Sequence, residues 1–427
     1  MRKTLTLMCA AVTILMAAGP VAALEISVYG DGAAVVHESR AFDVAAGRTE
    51  VAWSGLSNGL AVSSLVLDAG KDTVVLSQSF ESHLADPAAL LQQAIGRPAS
   101  VLTADITAQG TLLRVADGRI SMMRADDELW IFNGDLVNVI QWDDRLKLEP
   151  TLTWLVETKA AGRRDFDLTY ATDGLSWSAA YAMHLDRTAA TADISGWIEL
   201  KNRTAADFTE AAWHILDEDP DDDGNGTIEY DIPALRTPQS LKRGERRQFA
   251  YVQALNVPVT MRPIFDSSSA EGGVEAVDIP LFVRVINRDR GAAGLGMTLP
   301  AGDFVVYQAR DSGAIRISGP QGMPQLPVGY SVDLAAPGPS GVTAERTQSV
   351  FRHKPQARAQ EQDITVVLEN SLDEDIEVDV IERPWGEWDI LEPTHPFEPY
   401  RKTAIVFTVE VPAKGAAELA YTMKIAY

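Results

Sequence analysis

Residues 165–216, DFDLTYATDGLSWSAAYAMHLDRTAATADISGWIELKNRTAADFTEAAWHIL, decide the fold. Phe166, Leu168 and Tyr170 alternate with Asp165, Asp167 and Thr169, the period-two pattern of a strand with one buried face. Asp173-Gly174 supplies a turn, because glycine takes positive φ at little steric cost. Trp177, Ala179, Tyr181, Met183 and Leu185 then share one face. Ala192, Ile194, Ile198 and Leu200 give a third apolar face, and Phe208 to Leu216 a fourth strand. The stretch predicts a β-meander with Trp177 and Tyr181 in its core.

Working outward, the period-two pattern persists. Residues 24–80 read as a small β unit with a hairpin signal at Asp31-Gly32. Asp86 to Ile95 is the one clear helix: Asp86 caps it, Pro87 suits its first turn and Gly96 its end. From Arg97 to Leu148 short strands with a tight turn at Asp117-Gly118 predict a small SH3-like β-barrel, and a boundary is placed near Pro150. Asp266 to Gly273 reads as a loop, Pro337 to Ser340 as a turn, and no repeat of fixed period is visible. The predicted class is mainly β: residues 24–96 a β unit with a short helix, 97–149 the small barrel, and 150–427 a β-sandwich region.

Several of these residues carry a resemblance. Ser176, Trp177, Tyr181 and Asn202, then Asn370, Pro384, Trp385, Pro412 and Gly415 in ITVVLENSLDEDIEVDVIERPWGEWDIL and VEVPAKGAAELAYTMKI, are spaced as in the domain of unknown function 4139 family, bacterial mucoidy-inhibitor-A-like proteins. The chain resembles that family from about Thr151 to Tyr427, and looks like a short form without the coiled-coil insert of longer members. The resemblance implies a β-sandwich of the cell envelope and carries over no catalytic residue.

The N-terminus, MRKTLTLMCAAVTILMAAGPVAALE, has the basic start, apolar run and small residues of a secretory signal peptide (residues 1–23) cleaved after Ala23. A lipoprotein reading of Cys9 fails because Met8 stands where a small residue is needed. A periplasmic or secreted location is therefore expected, with no membrane span after cleavage. Cys9 is the only cysteine, so a mature chain needs no disulfide. The formal charge is −23, and losing Arg2 and Lys3 takes it to −25. Such a charge repels phosphate backbones and anionic lipid surfaces, which excludes nucleic acid as a partner.

Each candidate for chemistry lacks a second requirement. Gly55-Leu56-Ser57-Asn58-Gly59 matches a nucleophile elbow, but the residues after Ser57 read as a strand, not the helix such an elbow needs. His37, His83, His184, His214, His353 and His395 are scattered, with no zinc-binding spacing, and His184 points outward from its strand. Asp219, Asp221 and Asp223, with Gly224, repeat the first half of a calcium loop, but the twelfth position is Tyr230 rather than a bidentate glutamate. Any calcium there is expected to be weak, with a dissociation constant of about 10⁻⁴–10⁻³ M. Trp385 and Trp388 suit either a sugar platform or the bracing of a sandwich corner. The alternating last strand, Leu419 to Tyr427, fits a soluble sandwich better than an outer-membrane barrel, since the rest of the chain lacks long regular amphipathic strands.

These features favour a non-catalytic protein that binds or braces an envelope component, protein or glycan. An envelope hydrolase and a calcium-stabilised adhesion module are the alternatives. The hairpin Thr403 to Tyr427 is the expected docking edge, guarded only by Lys424.

Overall fold

The structure, a computed structural model, describes residues 24–30, 32–82, 91–92, 94–102, 107–133, 139–140, 149–218, 226–267, 274–289, 295–309, 315–354, 359–384, 386–400 and 404–426. It is 71% strand and 3% helical. The chain forms two compact units, one made of the residues up to Trp177 with Leu200–Arg247, the other of Ser178–Glu199 with Gln248–Tyr427.

The first unit starts with β1 (Leu24–Tyr29), β2 (Ala34–Val44), β3 (Gly47–Ser54), β4 (Val66–Asp68), β5 (Thr73–Glu81), β6 (Pro98–Leu102), β7 (Thr107–Ala116), β8 (Arg119–Met123), β9 (Leu129–Asn133), β10 (Val139–Ile140), β11 (Thr151–Thr158) and β12 (Gly162–Thr172). The hairpin of β13 (Leu175–Leu185) and β14 (Thr191–Asn202) gives its outer part to the second unit. β15 (Phe208–Glu218), β16 (Thr227–Glu229) and β17 (Gln239–Leu241) return to the first. Its sheets run β16-β15-β1-β2-β12-β4 with β17 also on β15, then β3-β11-β5, then β10-β6-β7-β8-β9. The last of these, an antiparallel five-stranded sheet, occupies the region of the expected small barrel. Asp117 (φ +53°) and Gly118 (φ +68°) make its tight turn, as their sequence predicts. Trp53, Trp154 and Phe166, all fully buried, fill the core of this unit, with the two indoles edge to face at 6.1 Å.

The second unit continues with β18 (Arg246–Asp266), β19 (Val274–Ile286), β20 (Gly302–Ala309), β21 (Ile315–Met323), β22 (Ser331–Lys354), β23 (Ala359–Asn370), β24 (Ile376–Glu382), β25 (Glu387–Leu391), β26 (Phe397–Tyr400), β27 (Ala404–Val411) and β28 (Ala416–Ala426). One ladder runs β21-β20-β13-β14-β18-β19-β22-β23-β28-β25, while β26-β27-β24 pack beside it and join through the end of β18. Val366, Val380, Phe407 and Leu419, fully buried, belong to the core they enclose.

The four strands of the expected meander form, but not as a meander. β12 pairs with β2 and β4, and β15 with β1, β16 and β17, so only β13 and β14 are neighbours, because pairing partners are chosen by the whole fold. The buried faces hold at residue level. β13 alternates buried and open positions along its length. Trp177 is 8% exposed and donates its indole N–H to the Leu216 carbonyl (3.1 Å). Tyr181 stacks on Phe304 at 5.5 Å and donates its hydroxyl to the Pro300 carbonyl (3.0 Å). His184 is open to solvent, as its phase requires, and stacks on Tyr307.

One motif is built twice. Asn202 ends β14: its Nδ2 donates to the carbonyls of Ala206 (2.9 Å) and Leu241 (3.3 Å), and its Oδ1 accepts the Thr204 N–H (2.9 Å). Asn370 ends β23 and does the same with Glu374 (2.8 Å), Val411 (3.2 Å) and Leu372 (2.8 Å). The next residue donates its N–H to a positive-φ glycine in both cases, Arg203 to Gly174 (2.7 Å) and Ser371 to Gly341 (2.9 Å). Phe208 then pairs with Leu241 as Ile376 pairs with Val411. A parallel strand closes each copy, β1 on β15 and the end of β18 on β24. Little beyond the asparagine is shared in sequence, so no period shows there.

Three other expectations change. The helix at Asp86–Ile95 falls largely outside the described residues; Leu91 and Gln92 are helical, and Ala94 to Gly96 form a turn. Pro337 to Ser340 lie inside β22 rather than in a turn, because β19 pairs alongside and takes up the irregularity as shifts of register. The terminal strand β28 is not an edge: β23 pairs on one side from Ala359 to Glu369 and β25 on the other from Glu387 to Leu391. One face is buried and the other half-open, and on the half-open face Lys424 binds Asp389 on the neighbouring strand (3.3 Å) instead of guarding a border.

Candidate functional site

The candidates drawn from sequence stay apart. Ser57 is fully buried, its hydroxyl 2.6 Å from that of Thr172 and accepting the Gly59 N–H at 3.2 Å. A single 3₁₀ turn, Val62–Ser64, and then the short strand β4 follow it, so the expected strand is there only at its end and the helix of a nucleophile elbow is not. His37 bonds to Thr169 and His214 to Glu229, on one sheet face but with β1 between their strands. Trp388 packs against the second unit's core as a brace. Asp219, Asp221, Asp223 and Trp385 lie outside the described residues, and among those described no group of three or more His, Cys, Asp or Glu side chains is placed to hold a metal ion.

The structure instead draws attention to a cleft of about 280 Å³ in the second unit. Its origin can be traced to two prolines. Pro280 of β19 faces Pro339 of β22, and neither has an N–H for the ladder. The register slips on both sides of Pro280, after a further slip between Val274 and Val277. Ser340 repairs part of the loss by donating its hydroxyl to the Ile279 carbonyl (2.6 Å). The loosened strand leaves a gap floored by Phe265, Ile279 and Ile381 and bordered by Phe282, Val277 and Tyr400. In the other copy of the motif, β12 pairs with β2 in unbroken register from Gly162 to Thr172.

Charge is concentrated in and under this cleft. Asp266, Asp278, Asp333 and Arg383 line it. Arg383 clamps Asp266 with Nη2 at 2.7 Å and Nε at 3.1 Å, and that pairing holds the guanidinium pKa above its usual value. Beneath, Arg284 grips Asp333 through Nε (2.7 Å) and Nη2 (3.0 Å) and reaches Asp379 at 2.8 Å. Burial opposes the charge on Arg284, but its two carboxylates outweigh burial and the pKa is raised. Thr408 satisfies the other oxygen of Asp379 (3.0 Å), and Tyr400 donates to Asp333 (3.3 Å). Asp278 is exposed and has no ion-pair partner among the described residues. A neighbouring buried pair, Arg346–Glu382 (3.2 Å), faces Tyr421, whose hydroxyl pKa is pushed up by burial and by the Glu382 charge.

A second charged cluster lies in the first unit. Burial raises the pKa of Glu38, while Arg40 and a hydrogen bond from Tyr170 (3.1 Å) pull it partly back. Arg40 itself covers the Trp53 ring at 4.7 Å.

The sequence analysis missed Arg284, Asp333, Asp379 and Arg383. A signal was present in IEVDVIE, where Asp379 and Glu382 interrupt an apolar strand. A charge in a strand buried on both faces needs a fixed partner.

No protein-family model matches the chain, and no curated protein matches it. Among the described residues no helix is long and apolar enough to cross a membrane.

Proposed function

We propose that this chain is an exported, non-catalytic β-sandwich protein that binds a cell-envelope component through the cleft of its second unit. One observation carries the reading: the carboxylates Asp266 and Asp333 within the cleft are each clamped by an arginine, at 2.7 Å at the closest approach. A clamped carboxylate is held in a fixed orientation, which suits recognition; a general base needs its oxygen free to take a proton. An apolar floor with a few fixed polar groups is the usual character of a ligand site.

The mucoidy-inhibitor-A-like family remains the proposed affiliation. Its support is that Trp177, Tyr181, Asn202 and Asn370, which carry the resemblance, all serve in packing or turn bonding. The apolar N-terminal stretch supports export to the periplasm or beyond.

The test is site-specific photo-crosslinking in living cells. A crosslinker at Val277, on the cleft border, is expected to yield an adduct with an envelope component, whereas one at Ile317 is not. Equal labelling from both positions contradicts the assignment of the cleft. Turnover of an envelope sugar or peptide by the purified chain, abolished by one substitution, overturns the non-catalytic reading.

A further inference from the structure

We infer that β9 pairs with β9 of a second copy of this chain, antiparallel about a twofold axis at Ile131. This edge belongs to the first unit and uses no residue of the cleft.

The first argument is the guarding of edges. An open sheet edge invites a partner strand, and charge, proline, a bulge or shortness blunts it. Among the strands that end the sheets, β4, β16 and β17 are three residues long and β10 two. β3 carries Arg48 and Glu50, β25 carries Glu387 and Asp389, and β21 and β26 each contain a proline. The pairing of β5 slips at Leu76. β9, LWIFN, has none of these guards and pairs only with β8 among the described residues. Leu129 and Ile131 on one face are 54% and 61% exposed. On the other face Trp130 and Phe132 are only partly buried, against a core in which Ala94, Ala99 and Ala108 stand beside Leu112, Ile120 and Met122.

The second argument is hydrogen-bond phase. At the β8–β9 turn the Arg124 N–H donates to the Glu128 carbonyl (3.0 Å). Pairs alternate along an antiparallel ladder, so Met122–Trp130 and Ile120–Phe132 are its hydrogen-bonded pairs. The N–H and C=O groups of Leu129, Ile131 and Asn133 therefore point away from β8, toward the open side. Among registers of matching phase, the one with Ile131 opposite itself overlaps the whole strand. Leu129 then faces Asn133, and Trp130 faces Phe132 in the closely spaced pair between them.

The third argument selects a second copy. The chain carries a net charge of −23, so copies repel on approach, and the uncharged β9 sets no further like charges face to face. Aromatic residues flank its apolar centre on both sides, so the same residues serve both partners, as a twofold contact requires. One strand pair buries less than a standard interface, so the dimer is expected to be weak.

Sedimentation velocity of the purified chain from about 1 to 300 µM is expected to show a monomer–dimer equilibrium. Ile131→Lys sets two ammonium groups opposite each other and should weaken it about tenfold or more. Val74→Lys, on β5, should leave it unchanged, and thermal melts report whether each variant folds. Disulfide formation reads the register, with Cys9, the only native cysteine, replaced by serine. Ile131→Cys is expected to give a disulfide dimer under mild oxidation, because paired Cα atoms about 5.5 Å apart lie within disulfide reach. Leu129→Cys alone is not, since its two copies stand about 14 Å apart, but an equal mixture of Leu129→Cys and Asn133→Cys chains is.

A chain that stays monomeric over the whole range overturns self-pairing in favour of a foreign strand or none. A dimer indifferent to Ile131→Lys, or Leu129→Cys crosslinking as readily as Ile131→Cys, overturns the contact at β9.

Discussion

At the scale of single residues, the two turn asparagines make a sharp case. Asn202 and Asn370 are 1% and 4% exposed, and their amides satisfy backbone groups that have no ladder partner. Alanine at either position strands buried carbonyls and is expected to cost about 1–3 kcal/mol. Chemical denaturation of each variant checks this, and a loss below about 0.5 kcal/mol at both contradicts the shared role. Trp177→Ala should cost about 3–5 kcal/mol through the cavity left against Tyr230, read from the same curves.

Glu38 gives a pH dependence of known sign. Its folded pKa is raised, so the folded protein holds a proton in the range just above the ordinary glutamate value, where the unfolded chain has lost it. The Glu38 contribution is therefore fully present below that ordinary value and is lost as pH rises through the raised one. Glu38→Gln keeps an acceptor for Tyr170 and should remove this component. Thermal melts from pH 4 to 7 should show wild type falling relative to the variant as pH rises; parallel curves would contradict the buried-carboxylate account.

At the scale of elements, the exposed edge lies elsewhere than expected. β5 pairs only with β11 among the described residues, and Val74, Val75 and Leu76 on it are 40–56% exposed. By contrast β28, paired on both sides, buries Leu419, Tyr421, Met423 and Ile425. Hydrogen exchange followed by mass spectrometry should find the amides of β28 among the slowest and those of β5 among the fastest. The reverse order would contradict the assignment of the two strands. The same comparison explains the misplaced edge: an alternating strand with one guard lysine reads alike whether it borders solvent or a neighbour, since pairing is a non-local event.

At the scale of the whole molecule, the net charge of −23 governs what the surface meets. The chain should not sediment with vesicles of phosphatidylglycerol at low salt, because like charges are least screened there. Binding that appears at low salt and disappears as salt is raised would show a basic patch that outweighs the total.

The sequence by itself determined the β class, the buried faces of β13 and β14, and the turns at Gly174 and Gly118. Those features depend on neighbours in the chain, through side-chain period and glycine's freedom at positive φ. Only the tertiary structure decided the rest. Pro339 reads as part of a turn until it faces Pro280 across two strands, and then the two open a cleft. Arg284 carries no signal in sequence, because Asp333 and Asp379 meet it only inside the fold. The twofold use of the asparagine turn was hidden for the same reason: backbone carbonyls from distant strands define it, and almost any side chain can carry a carbonyl.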